Sequence, residues 1–549
     1  MTAPTSAIAP TPHDPRTVTA DDFTWLIRGR SWCGLIAERA AVTPDTRFLI
    51  DPHGTELTFG EFAQRVERVA AALAAEGIGP GAVVAWQLPT RISTLLVMSA
   101  LRRLDAIQAP IIHLYREREV RASLEAVEPT HFIVPGVWGG FDFTAMARSI
   151  ADADGPSPTL LEVGVDAPET ADTSSLPPVP STDDDGQQFR WVYFTSGSSG
   201  VPKGARHTDA TILTGSTGFA GLGRMGTRPG EVSAMAFPVA HIGGAIYQIT
   251  CLAAGFPMLV LEAFDPARIV TQFREHKVTS TGGAPALYAG LMAMQKASPE
   301  PLFPDLTLLK GGGAPCPPEY LDEGLDVLGV VIAHDYGMTE VPMIAAADPY
   351  TDSAVLRLTD GIVVPGNEVR LVDLDDVPVA EGVDGLVQVR GGGVCKGYTD
   401  PTKNAENFTD DGWFRTGDLG RIHPSGHIEV IGRIKEMIIR KGEKIAPLEI
   451  EDLLSRHPRV TEVAVIGLPD AERGERVCAV VVPTPGGNAP TLAELTAYLS
   501  AQGLMKQKLP EQLEVLPELP RTGLSKVAKA TLRSQFSELS TTNNEGEHA

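Results

Sequence analysis

The sequence predicts an α/β protein of two unequal domains: a large one of mixed, mostly parallel sheets flanked by helices, and a small mobile α+β domain behind it. Three observations predict it. Helix-like and strand-like patterns alternate: Phe62, Val66, Val69 and Leu73 recur at helical spacing within 59–77, and a buried-strand run follows at 83–88. Such alternation produces βα units and parallel sheets. A chain of 549 residues, 43% hydrophobic and 21% charged, is long and apolar enough to bury more than one core. Past Gly432-Arg433 the character changes to short strands (463–466, 477–482) among helical stretches at 448–455 and 492–501.

In chain order, residues 1–25 are rich in Thr, Pro and Ala and are expected to be a disordered extension without a signal peptide. The large domain is placed at 26–432, interrupted by an Asp/Pro/Ser/Thr-rich connector at 151–188. The small domain is placed at 433–536 and a disordered tail at 537–549.

The densest chemical signal follows the connector. An aromatic, strand-like run, Trp191 to Phe194, leads into Thr195-Ser196-Gly197-Ser198-Ser199-Gly200-Val201-Pro202-Lys203-Gly204. Glycines let backbone N–H groups turn inward, hydroxyls add donors, and Lys203 adds a charge that reaches a polyphosphate. A flexible linker rarely starts straight from an aromatic strand. The Walker pattern occurs nowhere in the chain.

Weaker signals follow in order. Lys310-Gly311-Gly312-Gly313-Ala314-Pro315, after an apolar run, lets a flat ring lie against the backbone or makes a tight turn. His334-Asp335-Tyr336-Gly337-Met338-Thr339-Glu340 gathers an aromatic, a hydroxyl and a carboxylate. A carboxylate near a triphosphate is useful with Mg²⁺ between them. Thr416-Gly417-Asp418 sets a carboxylate at a turn, suited to a ribose diol or to an ordinary Asp turn. Arg433, Ile434 and Lys435 stand where the composition changes, as a hinge would, and Lys526 sits in a polar loop near the C-terminus.

Together, in this order, these segments resemble the adenylate-forming superfamily of acyl-CoA synthetases, adenylation domains and luciferases, over roughly 30–530. The terminal loop departs from that pattern only in having Ser525 where glycine is usual. The resemblance implies ATP-dependent activation of a carboxylic acid to an acyl-adenylate, then transfer to coenzyme A. It implies that Thr195, Ser196, Gly197, Ser198, Ser199, Gly200 and Lys203 hold the β- and γ-phosphates. Gly312, Gly313, Ala314, Pro315, Asp335, Tyr336, Gly337 and Met338 would then form the adenine side. Thr339 would touch the α-phosphate, Glu340 would hold Mg²⁺, and Asp418 and Arg433 would fix the ribose. Lys526 would bridge carboxylate and ribose, Lys435 would be the pivot, and Lys441-Gly442 would flank the thiol tunnel.

The resemblance further places His241, Ile242, Gly243 and Gly244 on one wall of the acid pocket and Gly282 and Gly283 on another. Amino-acid-activating relatives carry Asp on the first wall, and dihydroxybenzoate-activating relatives carry Asn after the histidine. This chain has Ile242, which implies an acid uncharged beyond its carboxylate. Small residues on both walls predict a roomy pocket for an aliphatic or alicyclic acid. Residues 109–120 and 137–142 resemble the cyclohexanecarboxylate and short-to-medium-chain acyl-CoA ligase branch.

A net charge of −23 speaks against nucleic acid as a partner. No run of 18 apolar residues suggests an integral membrane segment, and five scattered cysteines suit a reducing cytoplasm. No carrier domain follows Lys526, so the thiol is expected on a separate molecule: coenzyme A first, a free-standing carrier protein second. A homodimer is one open oligomeric state. A nucleotide-sensing pseudoenzyme is the non-catalytic alternative, disfavoured by Lys203, Glu340, Asp418 and Lys526 standing together. Gly221-Leu222-Gly223-Arg224-Met225-Gly226 fits GxGxxG but lacks an apolar strand before it, which argues against a dinucleotide oxidoreductase.

Overall fold

The computed structural model describes residues 31–542 except 53, 154, 181–187, 197–201, 441–442, 471–472 and 522–525. By internal contacts the chain divides into two units. The first takes 1–369, 389–414 and 425–428, and the second takes 370–388, 415–424 and 429–549. The contact division thus groups 370–388 and 415–424 with the C-terminal residues. The 432/433 boundary follows composition instead.

In the first unit a seven-stranded sheet runs Val331–Asp335, Leu308–Gly312, Ser280–Gly282, Ser233–Met235, Met258–Val260, Arg47–Ile50, Glu56–Thr58. All neighbours are parallel except the last pair. A six-stranded sheet runs Pro202–His207, Trp191–Ser196, Ile107–Pro110, Val83–Trp86, His131–Val134, Thr159–Glu162, with only the first pair antiparallel. The strand Thr159–Glu162 lies inside the expected connector, where Leu160 packs against the core. Helix Phe59–Ala75 begins at a capping box of Thr58 and Glu61 and buries Phe62, Val66, Val69 and Leu73, the stripe read from spacing.

Helix Asp209–Thr217 and a π-turn Gly218–Leu222 run into the GxGxxG segment where a dinucleotide fold would need a strand. Gly223 instead lies against Lys310.

In the second unit, strands Glu443–Ile445, Ile438–Arg440, Gly474–Pro483 and Val460–Asp470 form a sheet, with Gln512–Val515 parallel to Gly474–Pro483. Helices Pro447–Ser455 and Leu492–Ala501 pack Ile450, Leu454, Leu495 and Leu499 on it. Helix Lys529–Thr542 runs past residue 537, into the expected tail, because Leu532 and Phe536 are buried one turn apart. The expected extension 1–25 and residues 543–549 lie outside the described residues.

Candidate active site

The phosphate-loop reading resolves into a β-hairpin. Strand Trp191–Ser196 pairs antiparallel with Pro202–His207, so that Thr195 stands opposite Lys203. Trp191, Val192 and Tyr193 are buried, which anchors the first strand of the pair. Gly197, Ser198, Ser199, Gly200 and the Ser196 side chain lie outside the described residues. Residues 396–399 run antiparallel beside the hairpin, bridged at Ala205 and Tyr398. Lys396 N donates to Arg206 O (2.7 Å), Arg206 N to Gly397 O (2.9 Å) and Thr399 N to Gly204 O (2.8 Å). Gly204 is required there: a Cβ would stand 2.6 Å from Val192 Cγ1 and 2.9 Å from Thr399 Cγ2.

This segment carries Tyr398 between two of the expected site residues. Its Oη donates to Glu340 Oε1 at 2.7 Å, and Lys203 Nζ lies 5.8 Å from its ring centroid. Cys395 N donates to Glu340 O at 2.8 Å, and Met338 N to Val341 O at 3.0 Å, fixing the turn that carries Thr339 and Glu340. Below it, His207 Nε2 donates to Thr339 O (2.9 Å) while Nδ1 faces the Thr211 hydroxyl (2.9 Å). A carbonyl only accepts, so the Nε2–H tautomer is set. Burial pushes His207 down to about 3, keeping it neutral. Burial, with Glu340 beside it, pushes the Tyr398 phenol well up, so it stays a donor.

Gly311 and Gly312 pair with His334 and Asp335 of the neighbouring strand, and a Cβ on Gly312 would strike Asp335 O. Gly313 turns at φ +91°, ahead of Ala314 and Pro315. Tyr336 is buried and bridges Ala345 at the mouth of the turn that includes Gly337. The Asp335 side chain runs inward. Lys310 Nζ donates to its Oδ1 at 2.6 Å and to Ala347 O at 2.9 Å, and Ala347 N donates to the same Oδ1 at 2.9 Å. Burial raises the Asp335 carboxyl against the pull of Lys310. His334 is likewise buried and is pushed down to about 4.

On the first acid wall, His241 caps helix Ile242–Ala254, its Nδ1 accepting from Gly243 N at 3.2 Å. The glycines do not leave open room. A Cβ on Gly282 would stand 2.6 Å from Tyr247 Cε2 and 3.0 Å from Phe237 Cε1; one on Gly244, 2.7 Å from Val239 Cα. The space beside Gly283 is taken by Leu287 at 2.5 Å. At these positions the glycines admit aromatic, aliphatic and backbone neighbours.

In the second unit, Arg433 Nε stands 2.9 Å from Asp418 Oδ1, and Asp418 is almost wholly buried. Gly417 turns at φ +76° and Asp418 N is held by Thr416 Oγ1 at 3.0 Å. Lys435 lies in the short 3₁₀ turn Ile434–Glu436. Lys529 Nζ binds Glu436 Oε2 (2.9 Å) and Glu451 Oε1 (2.8 Å), while Arg533 reaches Lys435 O and Glu436 O at 3.4 Å each. Lys526 is exposed, and Lys441 and Gly442 lie outside the described residues.

Three residues around these sites escape sequence reasoning: Tyr398, His207 and Lys310. Lys310 left a signal, a lysine closing a buried apolar strand, which requires an interior partner. Tyr398 stands 58 residues past Glu340 and left none.

Glu340 is the carboxylate that Tyr398 leaves with one oxygen for another partner, and among the described residues no cluster of three acidic, histidine or cysteine side chains could hold a metal. That donor set fits Mg²⁺ arriving with a nucleotide, because Mg²⁺ binds through one or two carboxylates plus substrate phosphates.

Fold and site together define a class, the AMP-forming acid–thiol ligases. The chain belongs to the AMP-binding enzyme family, whose main domain matches residues 36–399 and whose C-terminal domain matches 449–526. It is 31% identical to a salicylyl-CoA synthase / salicylate adenylyltransferase of Streptomyces sp, over 92% of this chain and 94% of that one. It is 29% identical to the medium-chain fatty-acid–CoA ligase of Escherichia coli K12, over 91% and 89%. ATP-bound MatB from Rhodopseudomonas palustris superposes with a TM-score of 0.82 at 28% identity, covering 92% of this chain and 99% of that one.

Proposed function

We propose that this enzyme joins an apolar carboxylic acid to coenzyme A in two steps at the cluster around Tyr398. The observation that carries the reading is the meeting of Lys203 and Glu340 on that one side chain. In the first step a carboxylate oxygen bonds the α-phosphorus of ATP while the bond to the β-phosphate oxygen breaks, giving acyl-adenylate and pyrophosphate. Lys203, Thr195 and the hydroxyls of Ser196, Ser198 and Ser199 hold the departing phosphates, and Thr339 fixes the α-phosphate. Glu340 would hold Mg²⁺, which neutralises phosphate charge when bound. Tyr336 and the 312–315 turn take the adenine, Asp418 and Arg433 the ribose, and Lys526 the carboxylate. In the second step the thiol attacks the acyl carbon and AMP leaves, after a domain rotation about Lys435.

The acid is read as aliphatic or alicyclic, uncharged beyond its carboxylate. An aryl acid is the second reading, supported by the Phe237 and Tyr247 edges beside Gly282 and by the salicylate-activating relative.

Pyrophosphate release across aliphatic, alicyclic, aryl and steroid-derived acids, with and without coenzyme A, tests the reading. Acid-dependent release and coenzyme A-dependent AMP release support it. AMP release that needs a carrier protein instead would transfer the enzyme to carrier loading. Lys526→Ala should slow adenylate formation about 10²–10³-fold and spare thioester formation from pre-made acyl-AMP; equal loss in both removes the role assigned to Lys526.

A further inference from the structure

We infer that Tyr398 is a positioning residue that sets which oxygen of Glu340 faces the metal and holds that carboxylate in register with Lys203. The inference rests on the reading of Glu340 as the Mg²⁺ carboxylate.

A glutamate side chain has three rotatable bonds and loses much entropy when it is fixed. Glu340 is half-buried, on a turn whose backbone is held at Met338 N and by Cys395 N. Backbone restraint alone leaves the carboxylate free to swing. The Tyr398 hydroxyl ends that freedom: it donates to Oε1 at 2.7 Å, which assigns Oε2 to the ligand side. The tyrosine is itself immobile, being 2% exposed and paired through its backbone with Ala205 of the phosphate hairpin. The same ring lies 5.8 Å from Lys203 Nζ, so its electron-rich face steadies the ammonium that would meet the phosphates. A tyrosine suits this place where a lysine or arginine would not. It donates one hydrogen bond without adding a positive charge, so the carboxylate keeps its charge for Mg²⁺.

The hydroxyl is separable from the ring, which makes Tyr398→Phe the informative variant. ATP binding is measured by calorimetry with and without Mg²⁺, alongside thermal melting, in the parent, Tyr398→Phe, Glu340→Gln and the double variant. Mn²⁺ bound with ATP gives an independent resonance signal. Tyr398→Phe is expected to raise the Mg²⁺ concentration needed to tighten ATP about tenfold, with metal-free ATP binding and melting near the parent's. Glu340→Gln should lose at least as much, and adding Tyr398→Phe to it should cost little more. If Glu340→Gln loses the metal effect and Tyr398→Phe keeps it, or if the two losses add in full, Tyr398 does not position Glu340 and the metal assignment stands. If Glu340→Gln leaves the Mg²⁺ dependence intact, the metal assignment itself falls, and this inference with it.

Discussion

Two lysine–carboxylate sets in the first unit use the same chemistry in opposite ways. Lys310 and Asp335 are 0% and 3% exposed and bind each other directly at 2.6 Å. Lys203 and Glu340 are half-buried, and Tyr398 stands between them. Among the described residues no ion pair joins Lys203 to Glu340. In the first set the charges are consumed within the protein. In the second a neutral side chain stands between them, one contact to the ring and one to the hydroxyl. In the reading proposed above, those charges would be left for an anion and a cation that arrive together.

The largest effect that would break this comparison lies in the sealed pair. Asp335→Ala should cost about 3–5 kcal/mol of stability, because it leaves an uncompensated buried ammonium. Lys310→Met with Asp335→Leu should recover most of that loss in urea unfolding. If the double variant regains stability yet loses pyrophosphate exchange, Asp335 touches the nucleotide and the pair is not sealed off from function. On the open side, Lys203→Met should lower pyrophosphate exchange about 10²–10³-fold while shifting stability by no more than about 0.5 kcal/mol. A matching loss of stability would make Lys203 an interior strut like Lys310.

The last effect concerns pH and is spread over several units. His207 sits beneath Thr339 with its pKa pushed to about 3 by burial. The unfolded chain takes up a proton near pH 6.5 that the folded chain refuses, so the native state loses stability as pH falls from about 6.5 toward 3. The slope from this histidine approaches about 1.4 kcal/mol per pH unit. His207→Gln should flatten the measured dependence of unfolding free energy between pH 6 and 4, and an unchanged slope would show that His207 titrates in the folded state.

Local sequence carried much of this. The strand and the glycine-rich segment after it could be read because they are contiguous with the lysine, though the return strand Pro202–His207 could not; the amphipathic helix Phe59–Ala75 could be read because its apolar stripe is local. Tyr398 could not, since it reaches Glu340 only through pairing of 396–399 with the hairpin, a consequence of topology. Asp335 is named for adjoining Tyr336, but its side-chain partner could not be read, since the lysine that engages it comes from a neighbouring strand, 25 residues away. The glycine walls were legible only as glycines, for a related reason. A missing side chain in sequence says nothing about which neighbour fills its place, and Tyr247 and Phe237 fill that of Gly282.

The clamp around Lys529 has a mechanical consequence. Glu436 and Glu451 grip one ammonium, and Arg533 holds the carbonyls of Lys435 and Glu436. Lys529 and Arg533 belong to the helix that opens three residues after Lys526. Residues 435–436 and the start of helix Lys529–Thr542 are therefore fastened to each other by side chains as well as by the chain itself. Under the pivot proposed for Lys435, that fastening would couple its turning to the helix that follows Lys526, as a key couples a crank to its shaft.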